Sequence, residues 1–400
     1  MAMGKKDQKS KIATSAIKGR RAAKEMEKIH MVDLRSQYLG IKKDIDKAIQ
    51  GVLSSTAFIQ GKEVGEFAAA LGKYLDVPYV IPCANGTDAL QIAMMALDFK
   101  PGDEVILPVH TYVATAEVIG LLGLKPVFVD VDEKTFNIDI TRIERKITKK
   151  TVAIVPVHLY GQCADMEQIL GLATEYNLHV IEDAAQALGA EYTFSNKKTR
   201  RAGTMGIIGT TSFFPSKNLG CYGDGGALFT RDEKLAEKIR MIANHGQRVK
   251  YHHDIIGVNS RLDTLQAAIL HVKLNYLDDY ARKRNEVAAY YDKNLADIKG
   301  LILPHRAPNS THVFHQYTVR LDGKRNGLKD HLAAAGIPTM IYYPVPLHMQ
   351  NAYRQKEFGE GAFPVTEKLS KTVLSLPIHT EMSERQLEFI VSTIKQYFAA

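Results

Sequence analysis

The sequence predicts an α/β protein: a mostly parallel sheet covered by helices on both faces, followed by a smaller α+β unit. Two observations carry this. From Tyr38 to about residue 230, short apolar stretches alternate with helical ones, and the apolar stretches lack the strict in/out alternation of a one-sided sheet. After residue 260 the texture changes to a long run without Gly or Pro, then to a shorter mixture of both element types. Four hundred residues are enough for more than one domain.

The elements follow in order. Helical patterns run near 38–53 and 62–75. "YVIPC" (79–83) reads as a strand and "GTDALQIAMMAL" (86–97) as a helix. "EVILPV" (104–109) is a strand, and "YVATAEVIGLLG" (112–123) is a helix ended by glycine. "PVFVDV" (126–131), "VAIVPV" (152–157) and "HVIED" (179–183) are strands, with helices expected near 139–147 and 165–177. Two closely spaced strands flank Lys217. Residues 260–295 read as one long helix, with Ser260 and Asp263 as a capping pair. "FHQYTVRL" (314–321), a helix near 327–335, "PTMIYY" (338–343) and a terminal helix near 383–398 make the smaller unit. The expected division is a leader at 1–30, a large domain at 31–280 and a small domain at 281–400.

Composition narrows the function classes. A 45% hydrophobic and 24% charged chain is that of an ordinary globular protein. No apolar run reaches the roughly 18 residues needed to span a membrane. Cys83, Cys163 and Cys221 are too few and scattered for a disulfide framework, which fits a reducing cytoplasm. The net charge of +8 hints at nucleic acid, but six of those charges lie in the first thirty residues. That leader lacks a secretory h-region and ends in "IHM", so it reads as a tag or disordered segment ahead of a start near Met31. The His-rich "NHGQRVKYHHDI" has neither a second cluster nor ligand spacing, so no metal is expected.

The most informative stretch is "TSFFPSKNLGCYGDGGALFT" (211–230). It sets Lys217 between two apolar strands on backbone whose tight bending calls for glycine. Such a lysine is either a solvated loop residue or, if desolvated, a nucleophile towards carbonyls. The local sequence does not choose. Other strand ends supply partners, and in open α/β sheets ligands bind at those ends. Asn85-Gly86-Thr87 opens a helix, where free N–H groups attract phosphate. Tyr112 could stack on a flat ring. Asp183 ends a buried strand, either capping the next helix or pairing with a cationic ring nitrogen, with Gln186 one turn on. Ser212 lies five positions before Lys217. Taken together, a phosphate site, a stacking ring, a carboxylate and a lysine suit pyridoxal 5′-phosphate (PLP).

With "CANGTDALQIA", "TYVATAE", "PVHLYGQCADM", "VIEDAAQ", "TSFFPSKNLGCYGDGGA", "HGQ" and "GVNSRLDTLQAAIL" in view, residues 31–400 resemble the DegT/DnrJ/EryC1/StrS sugar aminotransferases. These belong to the fold-type I, aspartate aminotransferase-like PLP enzymes. The resemblance implies a mixed, mostly parallel seven-stranded sheet. It is greatest to enzymes that aminate C3 of UDP-2-acetamido-2-deoxy-3-keto-glucuronic acid with L-glutamate, on the way to bacterial O-antigen sugars. It implies that Lys217 forms the internal aldimine, Asp183 pairs with the pyridine nitrogen, Gln186 contacts the ring hydroxyl and Tyr112 stacks. Gly86, Thr87 and Ser212 would bind phosphate, joined by Asn259 from the second subunit of a homodimer. Arg261 would reach across that interface towards a substrate carboxylate. Tyr342-Tyr343 stands where that pattern has His-Tyr, which leaves a neutral 3-keto or 4-keto nucleotide sugar open beside the uronate. A sugar dehydratase of the same family would carry histidine in place of Lys217. A non-catalytic PLP-binding or DNA-binding regulator lacks support, since no helix-turn-helix or basic stripe lies outside the leader.

Overall fold

The computed structural model describes residues 28–354 and 358–399, so the leader expected at 1–30 lies almost wholly outside the described residues. The large sheet contains β1 (Tyr79–Cys83), β2 (Glu104–Pro108), β3 (Lys125–Val129), β4 (Thr151–Ile154) and β5 (His179–Asp183). The hairpin β6 (Glu191–Thr193) and β7 (Thr199–Arg201) stands apart from it. The large sheet is completed by β8 (Ile208–Ser212) and β9 (Gly226–Thr230), in the order β1-β9-β8-β5-β4-β2-β3. Only β9 runs antiparallel to its neighbours. All five residues of β2 and of β9 are buried, as expected of strands covered on both faces.

Helices close both faces. The helix Gly86–Ala96 buries Ala89, Leu90, Ile92, Ala93, Met94 and Ala96, so it sits inside the main core rather than on its rim. The helices Lys62–Leu75 and Thr264–Leu274 pack together on a second cluster that includes Phe67, Phe213 and Phe229. A further hairpin, β10 (Gln247–Val249) and β11 (His252–His253), projects with exposed residues. The second sheet, β12 (Leu301–Ile302), β13 (Tyr317–Leu321) and β14 (Val373–Leu376), builds its own core with the helices Arg325–Ala334 and Glu384–Ala399. No helix among the described residues is long and apolar enough to cross a membrane.

Several expectations are corrected. The helix near 139–147 is two short 3₁₀ turns, Ile140–Arg142 and Glu144–Lys146. Asp139 accepts from Thr141 N and from Arg142 Nε, and these local bonds compete with a helix in a β-branched segment too short to nucleate one. The long helix divides into Thr264–Leu274 and Leu277–Leu295. Asn275 Nδ2 turns back to the carbonyls of His271 and Val272, both at 3.3 Å, and ends the first helix. Ser260 does not cap that helix: its hydroxyl accepts from Ala84 N, and Asp263 makes no side-chain cap. Residues 338–343 form only a single bridge, Met340 to Ser375. The sequence reading passed over the helices Glu233–Ala243 and Pro364–Thr372 and the strand β14.

Candidate active site

The carboxyl ends of β1, β5 and β8 and the turn after β2 surround one cleft of about 700 Å³. Gly86, Thr87, Tyr112, Asp183, Gln186, Ser212, Lys217, Tyr342 and Tyr343 all line it. Asn259 is exposed and lies outside it, while Arg261 lines a separate depression with Arg240 and Arg248.

Lys217 follows β8 on a loop anchored from behind. Buried Lys273 donates to the Gly220 carbonyl at 2.5 Å, and Gln266 Oε1 accepts from Tyr222 N at 2.8 Å. The glycines of this loop are needed for closeness rather than for a left-handed backbone. A Cβ at Gly220 would meet the Pro215 oxygen at 2.3 Å, and one at Gly226 would meet the Asn85 oxygen at 2.4 Å. The Lys217 side chain is half-buried and its amine makes no hydrogen bond within the described residues. Desolvation pushes its pKa down to about 8, against the pull of the Asp183 carboxylate. Roughly a tenth of the amine is then neutral at pH 7, several hundredfold more than for an ordinary lysine.

Asp183 is 7% exposed, and no cation lies within 4 Å of it among the described residues. Its Oδ2 accepts from Thr115 Oγ1 at 3.0 Å and its Oδ1 from Ala185 N at 3.1 Å. A buried carboxylate held by neutral donors alone can still receive a cationic partner. The preceding residue, Glu182, is fully buried and points away from the cleft. It accepts from His158 Nε2 at 2.9 Å and from the N–H groups of Gly203, Met205 and Gly206, which fixes the end of β5.

The other walls are equally constrained. Asn85 caps the helix Gly86–Ala96 by accepting from Asp88 N at 2.8 Å, and this leaves the N–H groups of Gly86 and Thr87 facing the cleft without an intrahelical acceptor. Ser212 stands directly opposite. A Cβ at Gly86 would lie 2.7 Å from Ser212 Cβ. Tyr112 is 59% exposed at the mouth, its ring centroid 6.2 Å from that of Tyr343. Gln186 is held between Tyr160 N, which donates to its Oε1 at 2.9 Å, and the Tyr343 hydroxyl, which accepts from its Nε2 at 3.2 Å. Burial raises the Tyr343 pKa well above the usual phenol range, so the hydroxyl stays protonated.

These residues fit PLP. Two free N–H groups and a serine hydroxyl converge where a side chain at Gly86 would clash, leaving a cradle for a phosphate. A lone buried carboxylate suits a protonated ring nitrogen, and an amine of depressed pKa suits a carbonyl. Among the lining residues the sequence reading missed are Tyr160, Asp224, His315 and Gln316, and it also missed the Thr115 that holds Asp183. Thr115 lay inside "HTYVAT", three positions after Tyr112, but nothing local marks it as a partner of Asp183.

Comparison with known proteins settles the family. The sequence pattern of the DegT/DnrJ/EryC1/StrS aminotransferase family matches residues 40–395. The chain belongs to that family. A relative from Pseudomonas aeruginosa, UDP-2-acetamido-2-deoxy-3-oxo-D-glucuronate aminotransferase, is 48% identical over 366 residues, covering 92% of this chain and 99% of its own. The solved structure of S. venezuelae DesV in complex with a ketimine intermediate superposes with a TM-score of 0.90 at 40% identity, covering 94% of this chain and 100% of that one. The structure of NtdA from Bacillus subtilis with bound cofactor PMP has a TM-score of 0.86 at 33% identity, covering 94% and 86%. The chain has the fold-type I architecture and is a PLP-dependent aminotransferase of the sugar-modifying class.

Proposed function

We propose that this aminotransferase moves an amino group from L-glutamate to the 3-keto carbon of UDP-2-acetamido-2-deoxy-3-keto-glucuronic acid, in the cytoplasm, for bacterial surface polysaccharide of the O-antigen type. The observation that carries the reading is the single cleft in which Lys217 faces Asp183 while Gly86, Thr87 and Ser212 converge. The 48% identity to the P. aeruginosa enzyme supports the choice of sugar.

When bound, the cofactor supplies an electron sink for the carbon that loses its proton. Gly86, Thr87 and Ser212 would hold its phosphate, and Tyr112 would supply an aromatic face for its ring. Asp183, oriented by Thr115, would keep the ring nitrogen protonated. Gln186, fixed by Tyr160 and Tyr343, would offer an amide to the ring hydroxyl. The Lys217 amine removes the Cα proton of L-glutamate and returns a proton to C3 of the sugar. Tyr342 and Tyr343 form the sugar side of the wall.

Both substrates are anionic, yet Lys217 is the only Lys or Arg among the described residues that line the cleft. A glutamate carboxylate and a uronate need another cation. Arg261 of a second copy, carried on the same segment as Asn259, supplies it in a homodimer with shared active sites. Neither nucleic acid nor a membrane is part of this reading.

The test is a screen of UDP- and dTDP-linked keto-sugars with L-glutamate, read as 2-oxoglutarate formation. The purified protein is expected to be yellow, to bleach with glutamate and to prefer the UDP-linked 3-keto-uronate. A colourless protein that PLP cannot reconstitute would sink the enzymatic reading. Preference for a neutral 4-keto-sugar would sink the choice of substrate and favour the reading suggested by Tyr342.

A further inference from the structure

Tyr160 reaches the cleft from the short turn Leu159–Gly161, beyond the end of β4. It is 2% exposed, and its φ of +58° is a left-handed conformation that bulky residues rarely adopt. Such a residue persists only where its surroundings over-determine it. Here every polar group of Tyr160 is engaged. Its N–H donates to Gln186 Oε1 at 2.9 Å, and its carbonyl accepts from Gln316 N at 3.2 Å. Its ring packs edge-on against Phe136, with the centroids 5.2 Å apart. The phenol donates to the Tyr342 carbonyl, and His110 Nε2 lies 3.2 Å from the same oxygen. A phenol has one proton, so with that proton on the Tyr342 carbonyl the His110 ring is the donor.

These bonds close a ring. Gln186 Nε2 donates in turn to the Tyr343 hydroxyl at 3.2 Å, and Tyr343 follows Tyr342 in the chain. Tyr160 thus joins Gln186 to the two tyrosines of the opposite wall. That wall has little hydrogen-bonded support of its own. Residues 338–343 meet the second sheet through the single bridge from Met340 to Ser375. Among the described residues, Tyr342 and Tyr343 make no hydrogen bond besides those with Tyr160 and Gln186. The rest of their hold is apolar packing on a cluster that includes Phe136, Leu159, Leu369 and Val373. Apolar contact is non-directional, so the hydrogen bonds set where the wall stands.

We propose that Tyr160 is a positioning residue for sugar recognition: its phenol sets the Tyr342–Tyr343 wall, while its backbone N–H separately orients Gln186. This rests on the reading of Tyr342 and Tyr343 as the sugar side of the cleft. The two tasks are separable by chemistry. Tyr160→Phe removes the phenol and releases the Tyr342 carbonyl, but it keeps the ring against Phe136 and the N–H on Gln186.

The experiment follows the yellow absorption of the full-length, PLP-loaded protein in two single-turnover titrations. One uses L-glutamate and the other the UDP-linked 3-amino-uronate, the product of the sugar half-reaction; either amine bleaches the protein. Losing one neutral hydrogen bond weakens binding by up to about tenfold, so Tyr160→Phe should raise the half-saturating sugar concentration by roughly five- to tenfold. Half-saturation and maximal rate with glutamate should change by less than about twofold. A residue that only supported the fold would degrade both titrations together. His110→Leu, which takes away the phenol's second partner, should give the same split at smaller size and keeps the test available if Tyr160→Phe does not fold. Equal losses for the two amines would overturn the proposal. So would an unchanged sugar titration in the folded variants while Tyr342→Ala weakens sugar binding. If Tyr342→Ala also leaves the sugar unaffected, the reading of the wall falls instead. Wild-type protein that glutamate bleaches and the amino-uronate does not would overturn the choice of sugar, and the same split would then be measured with the sugar that the screen selects.

Discussion

Replacing Gly86 by alanine separates phosphate binding from every other task of the cleft. The added Cβ would lie 2.7 Å from Ser212 Cβ and 3.2 Å from Ser212 Cα, where carbon atoms normally rest about 3.5–4.0 Å apart. Ser212 has little room to retreat, because it is paired with Gly226 on β9, which packs near enough to Asn85 to exclude a side chain. The helix N-terminus must therefore back away by roughly 1 Å. Overpacking of this kind costs about 1–3 kcal/mol of stability. The displaced N–H groups also lose their aim at the phosphate, and a hydrogen bond to a charged group carries about 1.5–3 kcal/mol. Losing one weakens binding by roughly ten- to hundredfold. The assay is a pair of absorbance titrations of the apoprotein, one with PLP and one with pyridoxal, which lacks the phosphate. Gly86→Ala should lose affinity for PLP and leave pyridoxal nearly unchanged. Equal losses for both ligands, or no loss with PLP, would refute the placement of the phosphate at Gly86.

Thr115→Val keeps the shape of the buried threonine but removes the donor to Asp183 Oδ2; it should weaken PLP binding about tenfold while the melting temperature falls by only a few degrees, as checked by titration and calorimetry. Arg261→Lys should lower kcat/KM for a uronate sugar by roughly ten- to hundredfold, since lysine lacks the planar fork, while a C6 CH₂OH analogue loses far less in the sugar half-reaction. Equal losses for the two sugars would show that Arg261 does not read the C6 carboxylate. Asn259→Ala and Lys217→Ala should each be inactive alone and regain activity when mixed and allowed to exchange subunits; no recovery despite demonstrated exchange would place Asn259 in its own chain's site.

The sheet and the first ring of site residues were legible because each strand end carries a local signature. Apolar runs such as "HVIED" stop at a polar residue that must face a ligand or a cap, and Asp183 does line the cleft. Residues whose role depends on a distant part of the chain were not legible. His315 lies 98 positions after Lys217, and long-range bonds such as that from Asn218 to Val313 hold its segment at the cleft. The 139–147 helix failed for a related reason: its helical spacing was real, but the local bonds of Asp139 outweighed a segment with little apolar surface to bury. The glycines around Lys217 were right in kind but wrong in cause, because contacts with Pro215 and Asn85, rather than backbone angles, exclude a side chain.

The charge around the cleft gives the two-chain reading its physical basis. Asp88, Asp183 and Asp224 line the cleft against one lysine whose ammonium form is already disfavoured. One chain alone therefore offers an anionic pocket to a phosphate cofactor, a dicarboxylic amino donor and a nucleotide sugar, all of them anions. Backbone N–H groups at Gly86 and Thr87 offset the phosphate, and a protonated ring nitrogen would offset Asp183. Among the described residues that line the cleft, Lys217 is the one Lys or Arg left to offset the substrates. Arg240, Arg248 and Arg261 instead surround a separate depression of about 360 Å³, with the segment bearing Asn259 at its side. In the proposed two-copy arrangement, this depression, lined by three arginines and Glu237, would face an acidic cleft whose lining carries one lysine. Under that proposal, free glutamate and the sugar would bind only where both faces meet, and catalysis would depend on assembly.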